Sequence, residues 1–323
     1  MSNLERDPGE VTLVTGDTHC VEVLSPREVP LGGPRAMTVR RTLPQRGRSL
    51  VGAWCFLDHY GPDRVADTGG MRVAPHPHTG LQTVSWLFTG EIEHRDSAGN
   101  HAMVRPGELN LMTAGRGISH SEVSTPGTTV LHGAQLWVAL PQEAREADPG
   151  FEHYVPPPVA GQGWRARVFL GSLLGHTSPV RTFTGLVGAE LLLDAGVEVT
   201  LPVDPGHEHA VLVDEGGVRL AGRTVARGEL GYLGTGASSL TLQSTEGARA
   251  LLLGGRPLGE QIVMWWNFVG RTHDEVVAYR HEWQQLLAGN EPAAGGRFTL
   301  PEGDPLSPIP APGLPNARLR PRG

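Results

Sequence analysis

Apolar and polar residues alternate with a period of two along much of the chain, in short runs that end in glycine, proline, asparagine or aspartate. That pattern predicts β-strands joined by tight turns. Val21–Leu24, Met37–Arg40, Thr83–Phe88, Glu91–Asp96, Asn110–Thr113 and Gln135–Leu140 all read this way. Gly90, Arg105–Glu108 and Ala114–Gly117 supply turns, and Ser97–Asn100 reads as a hairpin loop. His94 and His101 flank that loop and are expected on the surface, with a place lining the barrel mouth as the alternative for either. Asp58–Pro62 is expected to end a strand in a turn, with His59 as a hydrogen-bonded loop histidine.

The pattern lapses over 141–163, which holds Pro156-Pro157-Pro158 and reads as an interdomain linker. It resumes from Trp164 and repeats the first half. Arg105-Pro106-Gly107-Glu108-Leu109 is echoed by Ala226-Arg227-Gly228-Glu229-Leu230, and Met112–Gly115 by Leu233–Gly236. The organisation expected is a first β-domain over 1–140, a linker over 141–163, a second β-domain over 164–290 and a proline-rich tail over 291–323. One helix stands out. Thr272 and Glu275 form a capping box, and Val276, Tyr279, Trp283, Leu286 and Leu287 follow as a helical stripe. The aromatic run Met264–Val269 before it reads as a core strand. The tail is either disordered or laid in extended form across the other domain.

Composition narrows the class. A chain of 323 residues with 39% hydrophobic and 19% charged content is globular and long enough for two domains. The counts of 44 glycines and 27 prolines suit many short strands. The net charge is −7 and there is no lysine, which gives no case for nucleic-acid binding. The arginines at 35, 40, 41, 46 and 48 read as a solvated face or a set of ion pairs. No apolar run approaches membrane-spanning length. Residues 1–15 read as a mobile or edge segment without signal-peptide character. Cys20 and Cys55 make neither a CxxC pair nor a disulfide framework, so a reduced, cytoplasmic protein is expected.

Candidate chemistry lies in two short strings. His76-Pro77-His78 and His120-Ser121-Glu122 each place two ligating side chains two residues apart, on one face of a strand. His76, His78, His120 and Glu122 on the inner wall of a barrel would form a transition-metal site with three nitrogens and one oxygen. Imidazole and carboxylate suit Fe²⁺, Mn²⁺, Ni²⁺, Cu²⁺ or Zn²⁺. Four ligands leave positions open on a six-coordinate ion; a closed, four-coordinate structural zinc is the alternative. In the second half, His207 and His209 are tempting. Counting from the repeat instead lands on Pro202, Asp204, Thr241 and Gln243, so His207 and His209 are read as a surface pair and the second domain as lacking metal ligands.

These strings, with Glu93–Ser97, Met112–Glu122, Phe56–His59, His132–Val138 and Trp265–Phe268, resemble the pirins, from about Arg40 to the end of the chain. The resemblance implies an all-β bicupin: two tandem jelly-roll barrels with a short C-terminal helix. It implies Fe²⁺ on His76, His78, His120 and Glu122, with other divalent transition metals allowed. It also implies ring cleavage by O₂ of quercetin or a related aromatic or enol substrate, with Glu122 as catalytic base. The alternative it carries is a redox sensor that binds a regulatory protein or metabolic enzyme without catalysis. The general cupin glutamate after the HxH pair is Gln82 here, which is expected to remove a carboxylate from around the pocket. Gly115 and Ser124 stand where the second cupin motif has proline and asparagine.

Overall fold

The computed structural model describes residues 20–30, 37–290 and 296–323. Two β-barrels pack face to face. Each pairs one large sheet with one four-stranded sheet, and the strand orders of the two barrels correspond. In the first, the large sheet runs Gly150–Tyr154, Leu109–Thr113, Leu81–Thr89, Val130–Ala139, Trp54–Arg64, Thr38–Leu43, Arg27–Pro30. Its small sheet runs Arg72–His78, Ile118–Ser124, Ile92–Asp96, His101–Val104. The repeat read from sequence is real. Gly107 and Gly228 both have positive φ, at 72° and 82°, in turns closed by Glu108 N–H to Arg105 O and Glu229 N–H to Ala226 O.

The large sheets meet at the domain interface and bury both of their faces. Along Leu81–Thr89 the even positions Val84 and Trp86 join Trp54, Leu57, Phe169, Leu212 and Leu253 in the inter-barrel core. Trp86 stacks on Phe169 at 4.5 Å, and Trp54 donates its indole N–H to the Gly254 carbonyl at 3.0 Å. The opposite faces point into the barrels, the first around Tyr60, Leu87 and Leu131 and the second around Val211, Val213 and Leu252.

Segments expected to be irregular pair at sheet edges. Within 141–163, Gly150–Tyr154 joins the first barrel through Leu109–Thr113, and Pro158–Gly161 joins the second through Trp164–Leu173. Conversely, Glu22–Leu24 pairs with Leu230–Leu233 of the second barrel. Edge strands tolerate proline, which is why 141–163 carried no strand signal. The strand Trp54–Arg64 does not end at Asp58 either. It continues through Gly61, whose φ is 81° and where a Cβ would lie 2.3 Å from the Leu131 carbonyl oxygen. The pairing register shifts there, as at a bulge.

Thr272 caps the helix His273–Leu287 by accepting the Glu275 N–H at 3.2 Å. Val276, Tyr279 and Trp283 face inward. The aromatic run before it is a hairpin, Val263–Trp265 against Phe268–Gly270, rather than one strand. The described tail, 296–323, lies extended over the small sheet of the first barrel: Ser119 Oγ donates to the Thr299 carbonyl, Ser121 Oγ to Asp304, and Ile309 N–H to the Pro75 carbonyl at 2.8 Å. No helix among the described residues is long and apolar enough to cross a membrane. Cys20 and Cys55 are free thiols. Of the arginine run, Arg41 pairs with Asp58 and Arg48 with Glu22. Residues 1–15, Arg35 and the start of the tail lie outside the described residues.

Candidate metal centre

The strand pair Arg72–His78 and Ile118–Ser124 brings the predicted side chains together. His120 stands directly opposite His76, and the register shift between His120 and Glu122 puts its extra residue in the Arg72–His78 strand, so His120 and Glu122 keep the period of two and share a face. His76, His78, His120 and Glu122 are all buried. The three imidazoles offer ligand atoms within 4.8 Å of one another, with ring centroids 4.5 to 5.0 Å apart. Glu122 lies within the same reach of His120 and of His94, which is not one of the four expected ligands.

His94 corrects the surface expectation. Ile92–Asp96 pairs with Ile118–Ser124 so that His94 faces Glu122 and Asp96 faces His120. His94 and Asp96 are buried. His101, by contrast, is exposed and bonded to Glu93. Gln82 needs the opposite correction. It points away from the pocket into the interface, where its amide donates to Thr113 Oγ1 at 3.0 Å and the Arg181 carbonyl at 3.4 Å.

Hydrogen bonds assign the ring protons. His76 Nδ1 sits 2.9 Å from the Ala74 carbonyl and His78 Nδ1 3.1 Å from the Asn267 carbonyl, so both Nδ1 atoms donate. Each Nε2 is then a bare lone pair. His78 Nε2 lies 3.1 Å from His120 Nε2. Two lone pairs at that separation repel unless a proton or a cation lies between them. This donor set fits a divalent transition metal, whose histidine ligands typically donate their second N–H to a carbonyl or carboxylate. Burial lowers His76 to about 4. Burial, and next the neighbouring His76, holds His78 and His120 well below the ordinary imidazole value. All three are therefore neutral and able to ligate at neutral pH. Burial raises the Glu122 carboxyl, opposed by His94 and by a hydrogen bond from Ser85 at 3.2 Å.

The cavity in front of these residues has a volume of about 510 Å³. Phe56 and Trp137 stack along one wall with centroids 4.0 Å apart, and Arg41 lies 4.4 Å over Phe56 while bonding Asp58 at 2.6 and 2.7 Å. Tyr60 reaches in from the same strand with a buried hydroxyl that has no partner among the described residues. The hairpin residues Met264, Trp266 and Asn267 and the tail residue Ile309 complete the rim. Phe56, Asp58 and Tyr60 were findable, since they alternate along one strand. Ile309 and the Asn267 carbonyl carry no local signal, because long-range contacts bring them to the site.

A second cluster, His59, His132 and Asp214, lies between the barrels. His59 is not in a loop; it is a fully buried strand residue. Both imidazoles donate from Nε2 to Asp214 Oδ1 at 2.6 Å, while Arg249 pairs with Oδ2 and Arg40 donates to His59 Nδ1. With two guanidinium groups already beside the carboxylate, this is a hydrogen-bonded latch rather than a cation site. In the second barrel the small-sheet positions that face inward are Val199 and Leu201, paired with Leu242 and Leu240. The counted positions Thr241 and Gln243 pair with Thr200 and Glu198 on the outer face. His207 is partly buried. His209 is not at the surface: it is 1% exposed, on the inward-facing side of its strand, with no partner for either nitrogen among the described residues.

Two barrels of matching strand order, with a cluster of histidines and a carboxylate among the described residues of the first, define a bicupin with a candidate His/Glu metal site. The chain matches the Pirin family over residues 36–138 and the Pirin C-terminal cupin domain over 188–288. It belongs to the pirin family. It is 44% identical over 295 residues, covering 91% of both chains, to the Pseudomonas aeruginosa protein named "Putative quercetin 2,3-dioxygenase PA1205". It is 35% identical over 284 residues to a Caulobacter vibrioides "Pirin-like protein", covering 85% of this chain and 94% of that one. Among solved structures it resembles quercetin 2,3-dioxygenase from Acinetobacter baumannii, with a TM-score of 0.85 and 36% identity over 93% of this chain and 97% of that one.

Proposed function

We propose that the protein is a mononuclear, metal-dependent dioxygenase of the quercetin 2,3-dioxygenase type, cleaving a flavonol or related aromatic enol with O₂. His76, His78, His120 and Glu122 would hold the ion, and Fe²⁺ is the assignment; Mn²⁺, Ni²⁺, Cu²⁺ and Zn²⁺ also suit the donor set. The observation that carries the reading is the convergence of bare imidazole nitrogens and a buried carboxyl at the floor of an aromatic-walled cavity. The names of the similar proteins support it.

When bound, the ion supplies Lewis-acid polarisation of the enolic oxygen and a redox partner for dioxygen. The chain's own residues do the rest. The Phe56–Trp137 wall suits a planar ring. Glu122, whose protonated form burial favours, takes up the proton of the enolic hydroxyl. Arg41, fixed by Asp58, presents a cation at the mouth to the anion that results. The hairpin and tail cover the rim and limit the entry of water.

The test is to incubate protein loaded with each metal in turn with quercetin, with and without oxygen. Oxygen uptake and carbon monoxide release matched to flavonol loss are expected. No oxygen-dependent turnover with any of the five metals would overturn the reading.

A further inference from the structure

Of the three clustered imidazoles, His120 alone has no carbonyl among the described residues to hold its second nitrogen. Its Nδ1 faces another ring nitrogen, His94 Nδ1, at 3.4 Å. Only one of the two can carry a proton. The other end of His94 decides which, because His94 Nε2 lies 3.2 Å from Asp96 Oδ2. An ionised carboxylate only accepts, so His94 carries its proton on Nε2 and presents a bare Nδ1. His120 then donates from Nδ1, and its Nε2 is left as the lone pair aimed at His78.

We propose that His94 is a positioning residue which, anchored by Asp96, fixes the proton of His120 on Nδ1 and so makes its Nε2 available to the metal. The proposal rests on the metal reading of the pocket. His94 itself is not a ligand, although it lies within ligand distance of His120 and Glu122. Both its nitrogens are engaged, and the His120 nitrogen it meets is the one turned away from His78. The anchor is built for the purpose. Asp96 Oδ1 accepts the N–H groups of Ala98 and Asn100 at 2.9 and 3.0 Å, and the Asn100 amide bonds both carboxylate oxygens. The hairpin loop thus holds the carboxylate in place, with Oδ2 turned to His94. Phe151 lies against the His94 ring with centroids 4.9 Å apart.

Asp96→Asn separates this role from simple packing. The backbone N–H groups of Ala98 and Asn100 would claim the amide oxygen and turn the NH₂ toward His94. His94 Nε2 would then have to accept, its proton would move to Nδ1, and that of His120 to Nε2. Two measurements test the relay. In metal-free protein labelled with ¹⁵N-histidine, two-bond ¹⁵N–¹H correlations should show His120 as the Nδ1–H tautomer in the wild type and the Nε2–H tautomer in Asp96→Asn. By chelator competition, the Asp96→Asn protein should bind Ni²⁺ about 10- to 100-fold more weakly. A wild-type His120 protonated on Nε2 would overturn the proposal, even if the variant fails to fold. So would a folded Asp96→Asn protein with wild-type Ni²⁺ affinity. A wild type that binds no Ni²⁺ would count against the metal reading; the tautomer measurement judges the relay independently.

Discussion

The carboxylate of Asp214 crosses from the second barrel to accept a hydrogen bond from His59 of the first at 2.6 Å. His132 and Arg249 share that carboxylate, and Asp214 is fully buried. Burial alone would raise its carboxyl, but the hydrogen bonds from His132 and His59 outweigh it and hold the group far below the ordinary carboxylate range. Asparagine keeps one acceptor oxygen but sets an NH₂ against Arg249 or the imidazoles and removes the buried counter-charge, so Asp214→Asn should cost about 3 kcal/mol in urea unfolding near pH 7. A carboxyl depressed in the folded state stabilises above its unfolded pKa, and that contribution fades as pH falls toward the folded value. The gap between wild type and variant should therefore narrow below about pH 4. A gap under about 0.5 kcal/mol at pH 7 would show that the latch is dispensable.

Gln82 gives a sharper distinction. If it lined the pocket, Gln82→Glu would restore a cupin carboxylate and alter metal binding. The side chain instead sits in the interface against the Arg181 carbonyl oxygen and Thr113. The substitution should leave Ni²⁺ affinity within twofold of wild type and destabilise the fold by about 1–3 kcal/mol, the cost of burying an unpaired polar group. Isothermal titration and urea unfolding on one preparation would check both.

His94 and Gln82 also mark how far the sequence could be read. The paired spacing of His76, His78, His120 and Glu122 was legible because each pair repeats the strand period. The turns Arg105–Glu108 and Ala226–Glu229 made the second barrel legible. The inward face of Ile92–Asp96 was not, because it carries Ile92, His94 and Asp96 while Glu93 and Arg95 pair on the outside. With charge on both faces, polarity cannot say which way the strand looks. Leu81–Thr89 is hidden on both sides, so nothing in its pattern marked the face that holds Gln82.

His209 predicts a pH effect on stability. Burial, and next the neighbouring His207, lowers it to about 4, against a slight upward pull from Asp204. The unfolded chain gains a proton there as pH falls through about 6.5, while the folded chain resists until about 4. Stability is therefore lost on acidification across that window. His209→Leu, which suits the aliphatic barrel interior, should reduce the loss between pH 6.5 and 5 by about 1 kcal/mol. Parallel unfolding curves for the two proteins at the two pH values would exclude the effect.

Metal should stabilise the first barrel by mass action. Free Ni²⁺ at a hundred times its dissociation constant adds about 2.7 kcal/mol, and a chelator should reverse the gain. His78→Ala leaves the second barrel untouched and should abolish the Ni²⁺-dependent rise in melting temperature. A rise of the same size in His78→Ala would place the ion elsewhere.

Ile309 ties the tail to ligand size. Its N–H is held by the Pro75 carbonyl and its carbonyl by the Trp283 indole at 2.9 Å, so the backbone is fixed while the side chain lines the cavity. A larger side chain there cannot swing away without breaking both bonds. Ile309→Trp should therefore narrow the entrance and weaken quercetin binding by about tenfold, equivalent to about 1.4 kcal/mol. Ni²⁺ affinity should not change, because Ile309 contributes no ligand. Quenching of tryptophan fluorescence by quercetin, with Ni²⁺ titration as the control, separates the outcomes. Equal quercetin affinity in the two proteins would mean that the ligand enters from another side. Equal losses of quercetin and Ni²⁺ would mean that the tail supports the strand carrying His76 rather than shaping the entrance.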